Sequence, residues 1–100
     1  MNSTGAAILV VDMLNEFLSE RGVMPFLRGR AIVPTLQTLL SQCREWGIPV
    51  VYINEAHRLD YDDVEFKKRG VHCLAGSWGA QVIDELRPKA SDLIVEKRRY

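Results

Sequence analysis

Three short apolar runs punctuate the chain, and each ends in charge. Residues 6–11 run without interruption to Asp12, residues 48–53 lead to Glu55 and His57, and residues 93–95 lead to Glu96 and Lys97. Continuous apolar runs, unlike alternating ones, suit strands buried on both faces, as in a parallel sheet under helices. Strands are therefore expected at 6–11, 50–53 and 92–96. Between the first two the period changes. Ile32, Leu36, Leu39, Leu40 and Cys43 recur at three- and four-residue steps, which predicts a helix over 30–46. Pro34 falls in its first turn, and Gly47 with Pro49 ends it.

Two stretches carry no steady period. Ser19, Gly22, Pro25 and Gly29 break residues 15–29, which read as a long loop over the strand ends. Residues 55–76 are polar and read as a second long connection, of the kind that often carries function. Ser77 is a candidate cap for a second helix with Val82, Ile83 and Leu86 on its buried face and Pro88 beyond its end. The order strand, helix, strand, helix, strand with right-handed crossovers predicts an α/β fold with a parallel sheet. A further helix is expected to begin at Tyr100.

In such a sheet all three charged clusters lie along one edge, outside the carboxyl ends of the strands, where ligands bind. The chain then presents the first half of an active site. Asp12, at the end of a buried strand, is a candidate base, since partial desolvation raises a carboxyl pKa. It reads equally as a loop acid capping the next turn. Lys97 at the same edge is a candidate partner for Asp12 and a positive charge for a developing oxyanion. Glu55, His57 and His72 have the composition of an oxygen-plus-two-imidazole metal site with positions left for water or substrate. Cys43 continues the helical stripe and reads as core. Cys73 adjoins His72, but sequence neighbours rarely face each other as proton transfer requires. Residues 76–79 (Gly-Ser-Trp-Gly) form a turn that either binds an anion through backbone donors or simply caps a helix.

Composition narrows the partners. With 13 basic and 13 acidic residues the formal net charge is zero, so nothing electrostatic argues for nucleic acid or an anionic membrane. The basic runs at 67–69 and 97–99 are short and read as solvated surface. No apolar stretch approaches membrane-spanning length, and the N-terminus lacks a signal-peptide pattern. Two cysteines make neither a disulfide framework nor a zinc spacing, consistent with a reducing cytoplasm. One hundred residues make one small domain at most.

Four segments together resemble the N-terminal half of the isochorismatase-like cysteine hydrolases, a family that includes nicotinamidases and N-carbamoylsarcosine amidases. They are residues 7–17 (Ala-Ile-Leu-Val-Val-Asp-Met-Leu-Asn-Glu-Phe), 47–52 (Gly-Ile-Pro-Val-Val-Tyr), 72–80 (His-Cys-Leu-Ala-Gly-Ser-Trp-Gly-Ala) and 95–100 (Val-Glu-Lys-Arg-Arg-Tyr). The resemblance implies a Rossmann-like three-layer α/β/α fold and a homo-oligomer. It implies a catalytic triad of Asp, Lys and Cys cleaving a C–N bond of a small amide or carbamoyl compound through a thioester. Asp12 matches the aspartate that takes the thiol proton, and Lys97 matches the lysine that orients and stabilises charge. The cysteine belongs to a later motif with no counterpart here. Phe17 matches an aromatic wall of the substrate pocket. Glu55, His57 and His72 match the positions that hold a divalent metal such as zinc in metal-binding members, with Glu standing where those have Asp.

Two other readings stand beside this one. An isochorismatase-type enzyme hydrolyses a vinyl ether on the same fold and need not use the cysteine. A non-catalytic α/β binding or oligomerising module is of another class. Three strands alone leave a sheet edge open, which predicts association.

Overall fold

The computed structural model describes residues 5–60 and 63–99. The chain runs β1 (Ile8–Val11), α1 (Asn15–Leu18), α2 (Val33–Glu45), β2 (Val50–Glu55), α3 (Val64–Arg69) and β3 (Leu93–Lys97). Short 3-10 turns occupy Leu27–Ile32, Trp78–Ala80 and Asp84–Leu86. The three strands form one parallel sheet with β2 between β1 and β3. The α/β class and the parallel sheet match the expectation, and β2 runs two residues further than expected, to Glu55. Tyr100, where a helix was expected to begin, and residues 1–4, read as lacking a signal pattern, lie outside the described residues.

The helix predicted over 30–46 is α2, preceded by a 3-10 turn. Val33, Leu40 and Cys43 are its buried residues and Leu36 packs against them. The working stripe is therefore 33, 36, 40 and 43. Ile32, in the preceding turn, and Leu39 are exposed. Pro34 sits in the first turn, where a backbone donor has no intrahelical partner. Gly47 closes the helix with φ 74°, donating its N–H to Arg44 O, a left-handed position suited to glycine.

Three expectations need correction. The loop over 15–29 contains the single turn α1, and the connection over 55–76 contains α3. Asp63 caps α3, its side chain accepting from Glu65 N at 2.9 Å, and the run Lys67, Lys68 and Arg69 forms its last turn, where cations favour the helix dipole. The second helix after Ser77 does not form. Ser77 makes no side-chain cap, and Gln81 is extended between two 3-10 turns. The reason is tertiary. Asn15 N donates to Gln81 O, Ile83 N donates to Met13 O, and Leu14 bridges Val82. Backbone groups that a helix would pair internally are spent on the segment leaving β1. Val82, Ile83 and Leu86 are nevertheless buried, as expected.

The sheet has two apolar faces with different fates. Val10, Val50 and Tyr52 face the core with Leu40, Cys43, Leu14, Leu18, Ile83 and Leu86. On the opposite face the register sets Leu9, Val51 and Leu93 in one row, and Val11, Ile53 and Val95 in the next. Here Leu9, Val11, Leu93 and Val95 are 56%, 51%, 59% and 50% exposed. The strands thus have the composition of doubly buried strands, but among the described residues only the β1–β2 part of one face is covered, and Ile94, beside Tyr52 on that face, is exposed.

A partly buried polar network ties α2 to the start of β3. Arg44 donates to both oxygens of Asp92 (3.2 and 2.7 Å) and to Tyr52 Oη at 3.1 Å, and Tyr52 Oη donates to Leu86 O at 2.7 Å.

Candidate active site and metal cluster

Asp12 leaves β1 with φ 57°, a left-handed conformation rare outside glycine. Its amide donates to Ile53 O, so the strand pairing holds the turn. The bend sends the carboxylate across the strand ends. Oδ1 accepts from Glu55 N at 2.9 Å and Oδ2 accepts from Lys97 Nζ at 2.8 Å. One carboxylate therefore binds the ends of all three strands. Both side chains remain partly accessible (17% and 22%), so the pair is open to a reactant. Lys97 reaches it because it pairs in register with Glu55, one strand over from β1. A cavity of about 470 Å³ adjoins Asp12. Its walls are apolar, with Phe17, Met24, Phe26 and Ile32 among them. Phe17 lies on this wall beside Asp12.

Neither cysteine belongs to this pair. Cys43 is buried on α2. Cys73 is fully buried, and burial, followed by the charges of Glu55, Glu16 and Asp12, pushes its thiol far above the ordinary range. A thiol held protonated is a poor nucleophile.

The second cluster lies next to the first. Glu55 ends β2, His57 follows two residues on, and His72 follows α3. His57 N donates to Cys73 O and Ala75 N donates to His57 O, a bridge that brings the two histidine segments side by side. Both Nε2 atoms lie 2.7 Å from Glu55 Oε2. Each Nδ1 has its own acceptor, Asp63 Oδ2 at 2.6 Å for His57 and Gly70 O at 2.7 Å for His72. Those partners set the tautomer. With Nδ1 carrying the proton, a neutral ring presents the Nε2 lone pair inwards. Two such lone pairs converge on a carboxylate oxygen, which requires a proton or a cation between them. The Phe66 ring seals the group, its centroid 5.0 Å from His57 and 5.8 Å from His72. Burial opposes the charge on Asp63. The hydrogen bonds from His57 and the Glu65 amide, with the nearby Arg99 guanidinium, outweigh it and hold that carboxyl below its ordinary range.

The structure adds Glu65, from the first turn of α3, as a fourth member. Donor atoms of Glu55, His57, Glu65 and His72 all lie within 4.8 Å of one another, and all four residues are buried. Glu55 Oε1 is buried with no hydrogen-bond partner among the described residues. Two imidazoles and two carboxylates, one with a lone oxygen to spare, fit a divalent ion. Glu65 and Asp63 were missed in the sequence because α3 was read as loop. The signal was an Asp with an acid two residues on, an N-cap pattern ahead of Phe66.

A family model described as an isochorismatase domain matches residues 6–100. An isochorismatase-like hydrolase from Alkaliphilus metalliredigens is 40% identical, with a TM-score of 0.86 over 94% of this chain and 52% of that one. An N-carbamoylsarcosine amidase from Thermoplasma acidophilum is 38% identical, with a TM-score of 0.82 over 93% of this chain and 51% of its own. Among curated relatives, a probable inactive nicotinamidase from Arabidopsis thaliana is 30% identical over 86% of this chain and 47% of its own length. The chain spans about half the length of the relatives it matches. With the family pattern matched over nearly all of its residues, the chain belongs to the isochorismatase family of hydrolases.

Proposed function

We propose that these residues form the N-terminal half of one isochorismatase-like domain. That domain hydrolyses a C–N bond of a small amide or carbamoyl compound through a cysteine thioester. The observation that carries the reading is the Lys97–Asp12 ion pair at 2.8 Å, set at the strand ends beside the apolar cavity. In this reading Asp12 is the base and Lys97 pairs with it and orients it. Phe17 walls the substrate, and the nucleophile is a cysteine outside residues 1–100, since Cys43 and Cys73 are both buried and burial pushes the Cys73 thiol up.

Asp12 takes the thiol proton, and the thiolate attacks the substrate carbonyl carbon. The carbon–oxygen double bond opens to an oxyanion, and Lys97 supplies positive charge beside it. The oxyanion collapses, the C–N bond breaks, and the leaving amine takes its proton from Asp12. Water, deprotonated by the same carboxylate, then cleaves the thioester and regenerates the thiol.

The metal belongs to the same proposal. Glu55, His57, His72 and Glu65 would hold a divalent ion such as zinc, which supplies Lewis acidity and orients the substrate or water. The reading includes a homo-oligomeric assembly, as the family resemblance implies. The test is ammonia or amine release from a panel of small primary amides and carbamoyl acids by a protein carrying both halves of the domain, since residues 1–100 alone lack the nucleophile, with Asp12→Asn and Lys97→Ala as controls. Turnover that both variants retain overturns the assignment. Hydrolysis of vinyl ethers with no amide turnover moves it to the isochorismatase type.

A further inference from the structure

Glu16 is a buried carboxylate that the chemistry above does not use. It sits in α1, between Asn15 and Phe17, and is 6% exposed. Its two oxygens reach in different directions. Oε1 accepts from Val23 N and Oε2 accepts from Cys73 N, each at 2.8 Å. The slot it occupies is cleared by glycine. A Cβ on Gly79 would fall 2.3 Å from Glu16 Oε2, and one on Gly22 would fall 2.1 Å from the Glu16 carbonyl oxygen.

Each arm ends at a part of the candidate site. Val23 begins the segment that contributes Met24 and Phe26 to the cavity beside Asp12, and Phe26 N donates to Phe17 O at 2.6 Å. Cys73 carries φ 47°, a conformation costly for a residue with a Cβ that persists only where neighbours impose it. Its N–H is held by Glu16 and its carbonyl accepts from His57 N at 2.8 Å. That clamped residue is the immediate neighbour of His72.

We propose that Glu16 is a positioning residue that couples the apolar cavity wall to the Glu55–His57–His72 cluster. The choice of a carboxylate follows from its partners. Both are N–H donors, so two acceptor oxygens are needed. A glutamine would turn its NH2 against one of them, and an aspartate is a methylene too short to span both. For its metal readout the inference rests on the metal reading above.

The test compares the protein with its Glu16→Gln, Gly79→Ala and doubly substituted variants, using Co²⁺ as the probe. Expected are a Co²⁺ dissociation constant raised by about 10-fold in Glu16→Gln, in the range seen for residues that support metal ligands, and joint loss of exchange protection at the Val23 and Cys73 amides. Gly79→Ala crowds the same carboxylate, so the double variant should be no weaker than the weaker single. Should Glu16→Gln fail to fold, Gly79→Ala carries the comparison. Unchanged Co²⁺ affinity despite loss of amide protection overturns the proposal, as do strictly additive effects. Should the unsubstituted protein take up no Co²⁺, the metal reading fails by itself. The ring ¹⁵N shifts of His57 and His72 then decide, movement in Glu16→Gln sustaining the coupling and constancy overturning it.

Discussion

Lys97 Nζ stands 2.8 Å from Asp12 Oδ2, closing an ion pair across 85 residues of sequence. The second oxygen of the same carboxylate takes the Glu55 amide. The pair therefore joins the ends of β1, β2 and β3 and leaves Asp12 with a fixed orientation.

Replacing Asp12 by Asn keeps the shape and removes the base. Under the proposed mechanism kcat/KM falls by roughly 10²–10⁴, the usual contribution of a positioned acid–base group. Lys97→Ala is expected to lower kcat by a similar order, because Asp12 loses its charge partner. Steady-state kinetics on the small-amide panel, with circular dichroism to confirm folding, checks both. Rates near the unsubstituted value in either variant remove that residue from the mechanism.

A divalent ion in the Glu55–His57–Glu65–His72 cluster, as proposed, predicts a stoichiometry. Elemental analysis of the purified protein is expected to find one divalent ion per chain. His57→Ala and His72→Ala should each abolish retention, while Glu65→Gln should weaken it by about 10-fold. A ligand at 100 times its dissociation constant stabilises the fold by about 2.7 kcal/mol. Chelation should therefore lower Tm in the unsubstituted protein and leave His72→Ala unmoved. Equal Tm values with and without chelator in both proteins speak against the site.

The Arg44–Asp92 network predicts an acid limb of stability. Burial alone would raise the Asp92 carboxyl, but the Arg44 guanidinium and the Lys89 amide hold it below the ordinary value. A carboxyl depressed in the folded state contributes stability above its unfolded pKa of about 3.9, and that stability is lost as pH falls through the folded value. Asp92→Asn should cost roughly 1.5–3 kcal/mol at neutral pH, the range for hydrogen bonds to charged groups, and should flatten the decline below about pH 4. Urea denaturation at pH 7 and pH 3 measures both. An undiminished acid dependence in Asp92→Asn places it elsewhere.

The uncovered sheet face predicts how residues 1–100 behave when expressed alone. Fully burying a Val or Leu side chain is worth roughly 1.5–3 kcal/mol, so four such side chains half exposed leave several kcal/mol to be gained by association. The polypeptide is expected to bind a hydrophobic dye and to self-associate in light scattering. Paired Val11→Thr and Val95→Thr substitutions should reduce both. A monomer that binds no dye would show that the face is tolerated in water.

How much of this was legible beforehand depends on the range of the forces involved. The strands, α2 and the alignment of Asp12, Glu55 and Lys97 at one edge follow from local apolar runs and from the regular geometry of parallel pairing, so the sequence alone determined them. The same holds for His57 and His72 as partners of Glu55, through a Glu-x-His spacing at a strand end followed by a second histidine. Tertiary structure decided the rest. Residues 77–86 have helical spacing but form two 3-10 turns about an extended stretch at Gln81, held by hydrogen bonds to Met13 and Asn15 that no local pattern encodes. Glu65 joins the Glu55–His57–His72 cluster only because α3, a turn and a half long, forms between β2 and His72. Glu16 reads as one acid among 13 until burial leaves it holding two amides far apart in the chain. A buried charge must be paired by whatever the fold brings to it, and that partner is set by packing and not by sequence spacing.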